Sequence, residues 1–269
     1  METTTVRDIP EYLHLVERCT EEWFCKEPTW GPWFRGQSQA DWPLRPSLYR
    51  YSSLKRDIRL VEDEIRQEFV VRAPSLGPER PRNAWEWYFL MQHSGAPTRL
   101  LDWTESALIA LFFAVRGKIA TSSKDAAVWI LEPWKLNEFV AELKEVVAPG
   151  AETGMAVSDL QNYSPWLPER YSEPGSLKKE LPVAIYPTHF SRRISSQRSC
   201  FTIHGSDRDG FNHLPGGFSQ YLRKVLIPGP DALSIERKLS VAGIDELTIF
   251  PDLDGLGRWL AGILREEST

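Results

Sequence analysis

Apolar residues recur along this chain with two different periods, which predict both helices and strands. A helical period of apolar residues, or a composition typical of helices, predicts helices in several segments of the chain. The predicted helices cover residues 9–25, 54–71, 84–92, 136–147, 232–241 and 254–265. A further helix begins after Thr104-Glu105-Ser106 and is apolar nearly all round, which is typical of a buried helix.

Short β-branched and aromatic runs predict the strands. They cover residues 33–36, 126–131, 183–187, 200–205, 221–227 and 246–250. These runs do not alternate regularly with crossover helices, so a doubly wound parallel sheet is not expected. The pattern therefore predicts an α+β fold, with a mixed or antiparallel central sheet flanked by helices.

The chain shows no internal repeat and no low-complexity tract, so we expect a single domain over residues 1–269. A helical segment should occupy about residues 1–28. Residues 133–180 carry a charged helix and then a Gly/Ser/Pro-rich stretch, which predicts a variable insertion.

Composition excludes several classes of protein. The net charge of −5 argues against coating nucleic acid through bulk positive charge. The mean hydropathy is −0.36, and no apolar run approaches the roughly 20 residues of a membrane helix. The N-terminus has no basic leader before an apolar core, and three cysteines without zinc spacing favour a reducing compartment. We therefore expect a cytoplasmic protein without a metal site.

The first candidate site is the tetrapeptide Phe34-Arg35-Gly36-Gln37. An arginine that leaves a strand beside a glycine can turn its planar guanidinium toward a ligand, while the glycine permits close backbone approach. A surface arginine before a turn explains the same four residues equally simply.

The second candidate lies between two predicted helices, over residues 92–104. Its polar side chains must hydrogen-bond to one another or to a ligand if the helices bury them. An internal Arg99–Asp102 pair that fixes a loop is the structural alternative. Even with that pair formed, His93 and Thr104 would be left to face a cleft.

Two later segments carry charge. Residues 192–205 hold three arginines before a strand that ends in His204-Gly205, an arrangement that suits a phosphate-bearing ligand or, alternatively, a solvated turn. In the last segment Asp252 or Asp254 suits the N-cap of the final helix. Glu246, at the start of a predicted strand, has no such local role.

Four motifs carry a resemblance to a known family: WFRGQ, QHSGAPTRLLDWTESALIALFFA, RISSQRSCFTIHG and ELTIFPDLDGL. In order and spacing they resemble the FRG domain family over roughly residues 30–260. A remoter similarity is to the ADP-ribosyltransferase fold with an Arg–Ser–Glu triad, in which an aromatic-Arg-Gly motif, a hydroxyl-rich motif and a late strand bearing a glutamate form the site.

That similarity implies that NAD is the substrate and that Arg35, Thr104 and Glu246 are the catalytic residues. Arg35 would hold the phosphate or ribose, Thr104 would orient the carboxylate, and Glu246 would stabilise the ribose cation that forms as nicotinamide leaves. The expected cofactor-binding residues are Gly36, Gln37, His93, Thr98, Arg99, Trp103, Gln197, Phe201 and His204.

Three hypotheses about function follow. The first is an NAD-consuming ADP-ribosyltransferase or NAD glycohydrolase, such as a bacterial toxin or phage-defence effector, with a nucleic-acid or protein acceptor and a neutralising or sensor partner. The second is a non-enzymatic module that binds a nucleotide or nucleic acid through its arginines and tryptophans. The third, ranked last, is a metal-dependent nuclease that uses Asp102, Glu246, Asp252 and Asp254.

Overall fold

A computed structural model describes most of the chain. The described residues are 2–24, 31–51, 56–77, 80–117, 124–149, 166–167, 180–188 and 195–266. The helices are α1 (Ile9–Phe24), α2 (Ile58–Arg72), α3 (Ala84–His93), α4 (Ala107–Val115), α5 (Pro133–Ala141), α6 (Gly229–Val241), α7 (Glu246–Ile249) and α8 (Leu253–Glu266). The strands are β1 (Thr3–Thr5), β2 (Trp33–Gln37), β3 (Leu100–Thr104), β4 (Ala126–Leu131), β5 (Val183–Ile185), β6 (Ser199–Ile203) and β7 (Leu222–Ile227).

The seven strands form one sheet in the order β1-β7-β4-β2-β3-β6-β5. Only the β1–β7 pair is parallel among the described pairings, and the other neighbours run antiparallel. This architecture confirms the expected α+β class with a mixed, mostly antiparallel sheet.

The centre of the sheet is its least paired part. Strand β2 pairs with β4 along five residues, and β3 pairs with β6 along five. Between β2 and β3, however, the described ladder holds one pair, Phe34 opposite Thr104. Beyond that pair the two strands share no further ladder pair among the described residues, and we call the region between them the β2–β3 wedge.

Helices cover one face of the sheet in two groups. The first apolar cluster packs α1, α4 and α6 against β2, β4 and β7. The second packs α3 and part of α2 against β3, β5 and β6. A third cluster, rich in tryptophan, lies on the opposite face under α5. The wedge thus lies where the two helical groups meet.

Two strands were not predicted, and one predicted strand is wrong. Residues 246–250 form helix α7 instead of the expected strand, because the Asp245 side chain accepts hydrogen bonds from the backbone N–H groups of Leu247 and Thr248 in a capping box. A short apolar run cannot by itself distinguish a strand from a helix. Strands β1 and β3 were missed, the latter because its sequence lies directly between two strong helix signals.

The other predicted elements are present with shifted ends. Helix α5 ends at Ala141, six residues earlier than expected, where Glu142 adopts a left-handed conformation. Most of the predicted insertion at 133–180 lies outside the described residues, which after residue 149 include 166–167 and 180. In the part of the chain that the structure describes, no helix has the length and apolar character needed to cross a membrane.

Glycine 36 lets helix α4 lie directly on strand β2. A β-carbon at Gly36 would fall 2.0 Å from the carbonyl oxygen of Ala110 and 2.6 Å from the backbone nitrogen of Ala114. Both are backbone atoms, so neither can move aside without displacing the helix. The close approach explains why glycine follows Arg35.

Replacing Gly36 with alanine should therefore destabilise the protein. Overpacking a tight core typically costs 1–3 kcal/mol, and contact with backbone places this site at the upper end, about 3 kcal/mol. Urea unfolding followed by circular dichroism measures the difference. Gly31→Ala is the matched control, since none of the described residues has an atom within 4 Å of its added methyl group. Equal stability of the two variants would contradict the packing argument.

Candidate functional site

Arg35 extends its guanidinium into the β2–β3 wedge. Side chains alternate along a strand, so Phe34 packs under α4 while Arg35 begins on the opposite face. Its Nη1 atom donates to the backbone carbonyl oxygen of Asp102 at 2.6 Å and lies 3.7 Å from Asp102 Oδ2. The arginine thus bridges the two strands at the point where their own ladder stops.

The environment of this arginine is unusual for a cation. Its side chain is 13% exposed, and burial lowers its pKa to about 10, with Asp102 opposing that shift and Arg50 adding to it. The buried Nε atom has no hydrogen-bond partner in the described part of the chain. A buried donor without a partner carries a free-energy cost that a ligand can relieve.

Asp102 presents a carboxylate at the mouth of the wedge. Its side chain is 58% exposed, and its Oδ1 atom accepts a hydrogen bond from Gln92 Nε2 at 2.9 Å. The side-chain amide oxygen of Gln92, Oε1, accepts in turn a hydrogen bond from the Thr98 hydroxyl. That hydroxyl itself accepts a hydrogen bond from the backbone N–H of Leu100. This chain of bonds holds the exposed carboxylate in one orientation beside Arg35.

The Arg99–Asp102 pair, the structural alternative for this segment, is not among the ion pairs of the described residues, and Arg99 forms a more deeply buried pair. Arg99 is 0% exposed and binds both carboxylate oxygens of Glu62 on α2, at 2.9 and 2.8 Å. The Tyr88 hydroxyl donates to the same carboxylate and accepts from the backbone N–H of Arg99. Arg99 also donates to the carbonyl oxygens of Trp166 and His204. This network fixes the start of β3.

His204 is buried at the end of β6, on the same face as Arg35. It is 0% exposed, and its ring lies 5.4 Å from that of Phe211. Burial lowers its pKa to about 3, and the positive charges of Arg99 and Arg35 add to this effect. Its Nδ1 atom has no hydrogen-bond partner among the described residues. The imidazole is therefore neutral at pH 7.

Glu246 occupies a different environment from Arg35. Its carboxylate pairs with Arg116 at 2.6 Å and with Arg258 at 3.0 Å. Both guanidinium groups also lie over the ring of Phe250, at 4.8 and 4.5 Å. The arrangement attaches α7 and α8 to the end of α4. The late strand that the ADP-ribosyltransferase resemblance required at Glu246 is not formed, and its catalytic role stays a prediction.

The remaining hydroxyl and amide candidates are engaged in links between elements. Thr104 donates to the carbonyl oxygen of Gln197 at 2.7 Å, and the Gln197 amide donates to that of Ile249. Gln37 accepts from the indole of Trp129 and donates to the carbonyl oxygen of Pro43. These links join α7 to β3 and secure the segment that follows β2.

The aromatic candidates lie in the core. Trp103 donates its indole N–H to the hydroxyl of Thr202, and Phe201 stacks on Phe89 with ring centres 5.6 Å apart. Their role as cofactor-binding residues stays a prediction. Arg192 and Arg193, part of the predicted phosphate-binding segment, lie outside the described residues.

A pocket of about 940 Å³ lies between α2, the end of α3 and the start of α8, and neither Arg35 nor Asp102 lines it. His93 lines it, and so do Asp252 and Asp254. Asp252 accepts a hydrogen bond from the backbone N–H of Gly255, as expected for an N-cap. Across the described ranges, no group of three His, Cys, Asp or Glu side chains could hold a metal ion.

The residues that form the wedge lie in one segment of the chain that matches a family model. Residues 31–123 match the FRG domain. No curated protein and no solved structure matches the chain. The FRG segment contains β2, α3, β3 and α4, and hence Arg35, Gln92 and Asp102. The two later motifs lie beyond the FRG match, so the resemblance there stays a prediction.

The sequence did not identify Asp102 as the partner of Arg35, nor Gln92 as the partner of Asp102. Asp102 was considered only as a partner for Arg99 or as a metal ligand. The signal that could have found it is the alternation in Leu101-Asp102-Trp103, where one polar residue interrupts an apolar run. Such a residue on a central strand must face solvent or a partner.

The buried neutral His204 predicts a specific pH dependence of stability. Its folded pKa of about 3 is below the ordinary value of 6.5, so the unfolded chain binds the proton more tightly and stability falls as pH drops below 6.5. Between pH 7.5 and 5.5 this group alone should remove about 1.4 kcal/mol. Urea unfolding at both pH values measures the loss, and His204→Gln should reduce it by that amount. An unchanged loss in the variant would contradict the assignment.

Proposed function

We propose that this chain binds a dinucleotide of the NAD type at the β2–β3 wedge. The observation that carries the proposal is the Arg35 guanidinium, which is buried, has no partner for Nε in the described part of the chain, and lies beside an exposed carboxylate. A planar guanidinium binds a phosphate group through two paired N–H donors. One arginine therefore suffices to hold one phosphate group without much further positive charge around it.

The carboxylate suits the other half of such a ligand. Ribose presents two neighbouring hydroxyl groups, and a fixed carboxylate accepts hydrogen bonds from both. Asp102 is held by Gln92 and stands 3.7 Å from Arg35, so phosphate and ribose contacts would lie side by side. The acidic net charge of −5 favours a small nucleotide over long nucleic acid.

Cleavage of the bound dinucleotide is the second candidate function, and the exposure of Asp102 favours it. As the bond between C1′ of the ribose and the nicotinamide nitrogen breaks, the bonding pair goes to the ring and nicotinamide leaves as a neutral molecule. Water adds to C1′ and loses its proton to solvent. Asp102 would stabilise the cationic transition state, a role that the double ion pair of Glu246 does not favour.

If an acceptor other than water attacks C1′ of the ribose, the same reaction transfers ADP-ribose to that acceptor. A nucleic-acid or protein acceptor, a neutralising partner, and a role as toxin or defence effector stay predictions of the sequence analysis.

Binding should depend on the shape of the Arg35 side chain as well as on its charge. Arg35→Lys should weaken NAD binding by at least about tenfold, because an ammonium group cannot reproduce the paired donors. Isothermal titration calorimetry with NAD and with ADP-ribose measures the affinity. Arg7→Lys, at an exposed position, is the control and should bind like the wild type. Equal affinity of the two variants would exclude the wedge as the binding site.

Cleavage should depend on Asp102 more than on Glu246. Asp102→Asn should lower the rate of nicotinamide release by roughly a hundred- to a thousandfold, the usual effect of removing one charge-stabilising group. Glu246→Gln should retain most of the wild-type rate of nicotinamide release when it is assayed under conditions in which it is as fully folded as the wild type. The release of nicotinamide from NAD is followed by chromatography. Binding without release, after long incubation of the wild type, would leave the chain a nucleotide-binding module.

A comparable loss of nicotinamide release in a folded Glu246→Gln variant, with Asp102→Asn still active, would return the catalytic role to Glu246. Circular dichroism and the unfolding midpoint of each variant separate lost chemistry from lost structure.

A further inference from the structure

We propose that the pocket between α2, α3 and α8 binds a basic, amphipathic peptide segment of a partner protein. The pocket measures about 940 Å³, near the upper end of the volumes typical of ligand sites. The proposal is independent of NAD binding, because it uses none of the residues of the β2–β3 wedge.

The floor of the pocket is apolar. Ile65 and Phe69 of α2 pack against the second core cluster, and Leu90 of α3 lies beside them. At the rim, the side chain of Leu76, which follows α2, is 84% exposed and so adds apolar surface that faces solvent. An apolar surface of this kind favours a ligand that also brings apolar side chains.

The walls of the pocket are acidic. Glu64 and Glu68 lie one turn apart on α2, and Asp252 and Asp254 lie on the other side, at the start of α8. Arg72 is the one lysine or arginine among the lining residues, all of which the structure describes. Negative charge on two walls repels phosphate groups and attracts a ligand with several positive charges along its length.

The charges already present can be exchanged at little cost. Glu64 pairs with Arg56, and Glu68 pairs with Arg72, in each case between side chains that are more than half exposed. Exposed ion pairs of this type contribute at most about 1 kcal/mol. Asp254 makes no hydrogen bond or ion pair to the described part of the chain. A peptide cation could therefore replace the weak partners and gain a new one.

These features together favour a peptide over a small cation. The carboxylates lie on two walls, and the apolar floor lies between them. One compact ammonium group would therefore fail to contact either the floor or one of the walls. A segment that alternates basic and apolar side chains places its apolar groups on the floor and its charges along both walls. We therefore expect an extended or helical stretch with lysine or arginine flanking leucine-like residues.

A fluorescent peptide tests the pocket directly. The probe is a short acetylated, amidated peptide of alternating leucine and arginine, and anisotropy is measured with the full chain as sodium chloride is raised. Binding should weaken with salt, and Glu68→Lys combined with Asp254→Lys should weaken it by at least about tenfold at low salt. The matched control is Glu17→Lys with Glu21→Lys on α1, which changes the net charge equally at exposed positions outside the pocket.

The apolar contribution has its own variant. Leu76→Ser should weaken peptide binding several-fold while leaving the fold unchanged, since this side chain is almost fully solvent-exposed. Equal losses in the pocket and α1 charge variants would overturn the proposal, because binding would then reflect net charge alone. Spermine binding as tightly as the peptide, with no effect of Leu76→Ser, would also overturn it and assign the pocket to small cations.

Discussion

The organisation of this domain depends on one interaction, the bridge that Arg35 forms between two strands that barely pair. The described β2–β3 ladder holds a single residue pair, so the sheet would be two half-sheets without additional links. The guanidinium supplies one such link through its hydrogen bond to the Asp102 carbonyl oxygen. Because the bridge is a polar side chain, the middle of the sheet contains hydrogen-bonding groups where most sheets contain a regular ladder.

Two packing contacts fix the strands that border the wedge. Helix α4 lies directly on Gly36, so β2 cannot move toward α4 without striking helix backbone. On the other side, Glu62 binds the buried Arg99 and fixes the start of β3 under α2. Removing one member of a buried ion pair leaves an uncompensated charge, which makes this anchor costly to break. Each of the two strands is thus held in place by its own packing.

Arg35 and Glu246 have different partners, and this changes how the charged residues are understood. Glu246 belongs to a group of arginines and phenylalanines that attaches α7 and α8 to α4, whereas Asp102 is the carboxylate at the wedge. The same C-terminal segment supplies Asp252 and Asp254 to a separate acidic pocket. The chain therefore carries two sites for which we propose opposite ligands, phosphate at the wedge and a basic peptide at this pocket.

The sequence by itself determined the fold class and most helices and strands, and it marked Phe34-Arg35-Gly36 as a candidate site, because apolar periodicity and glycine placement are local properties. It did not determine α7, where the three apolar residues within 246–250 were compatible with a strand until the Asp245 cap selected a helix. Only the tertiary structure decided that Asp102 partners Arg35 and that Glu62 partners Arg99. Those pairs join residues 67 and 37 positions apart, and such separations are set by how strands and helices pack, which no local pattern encodes.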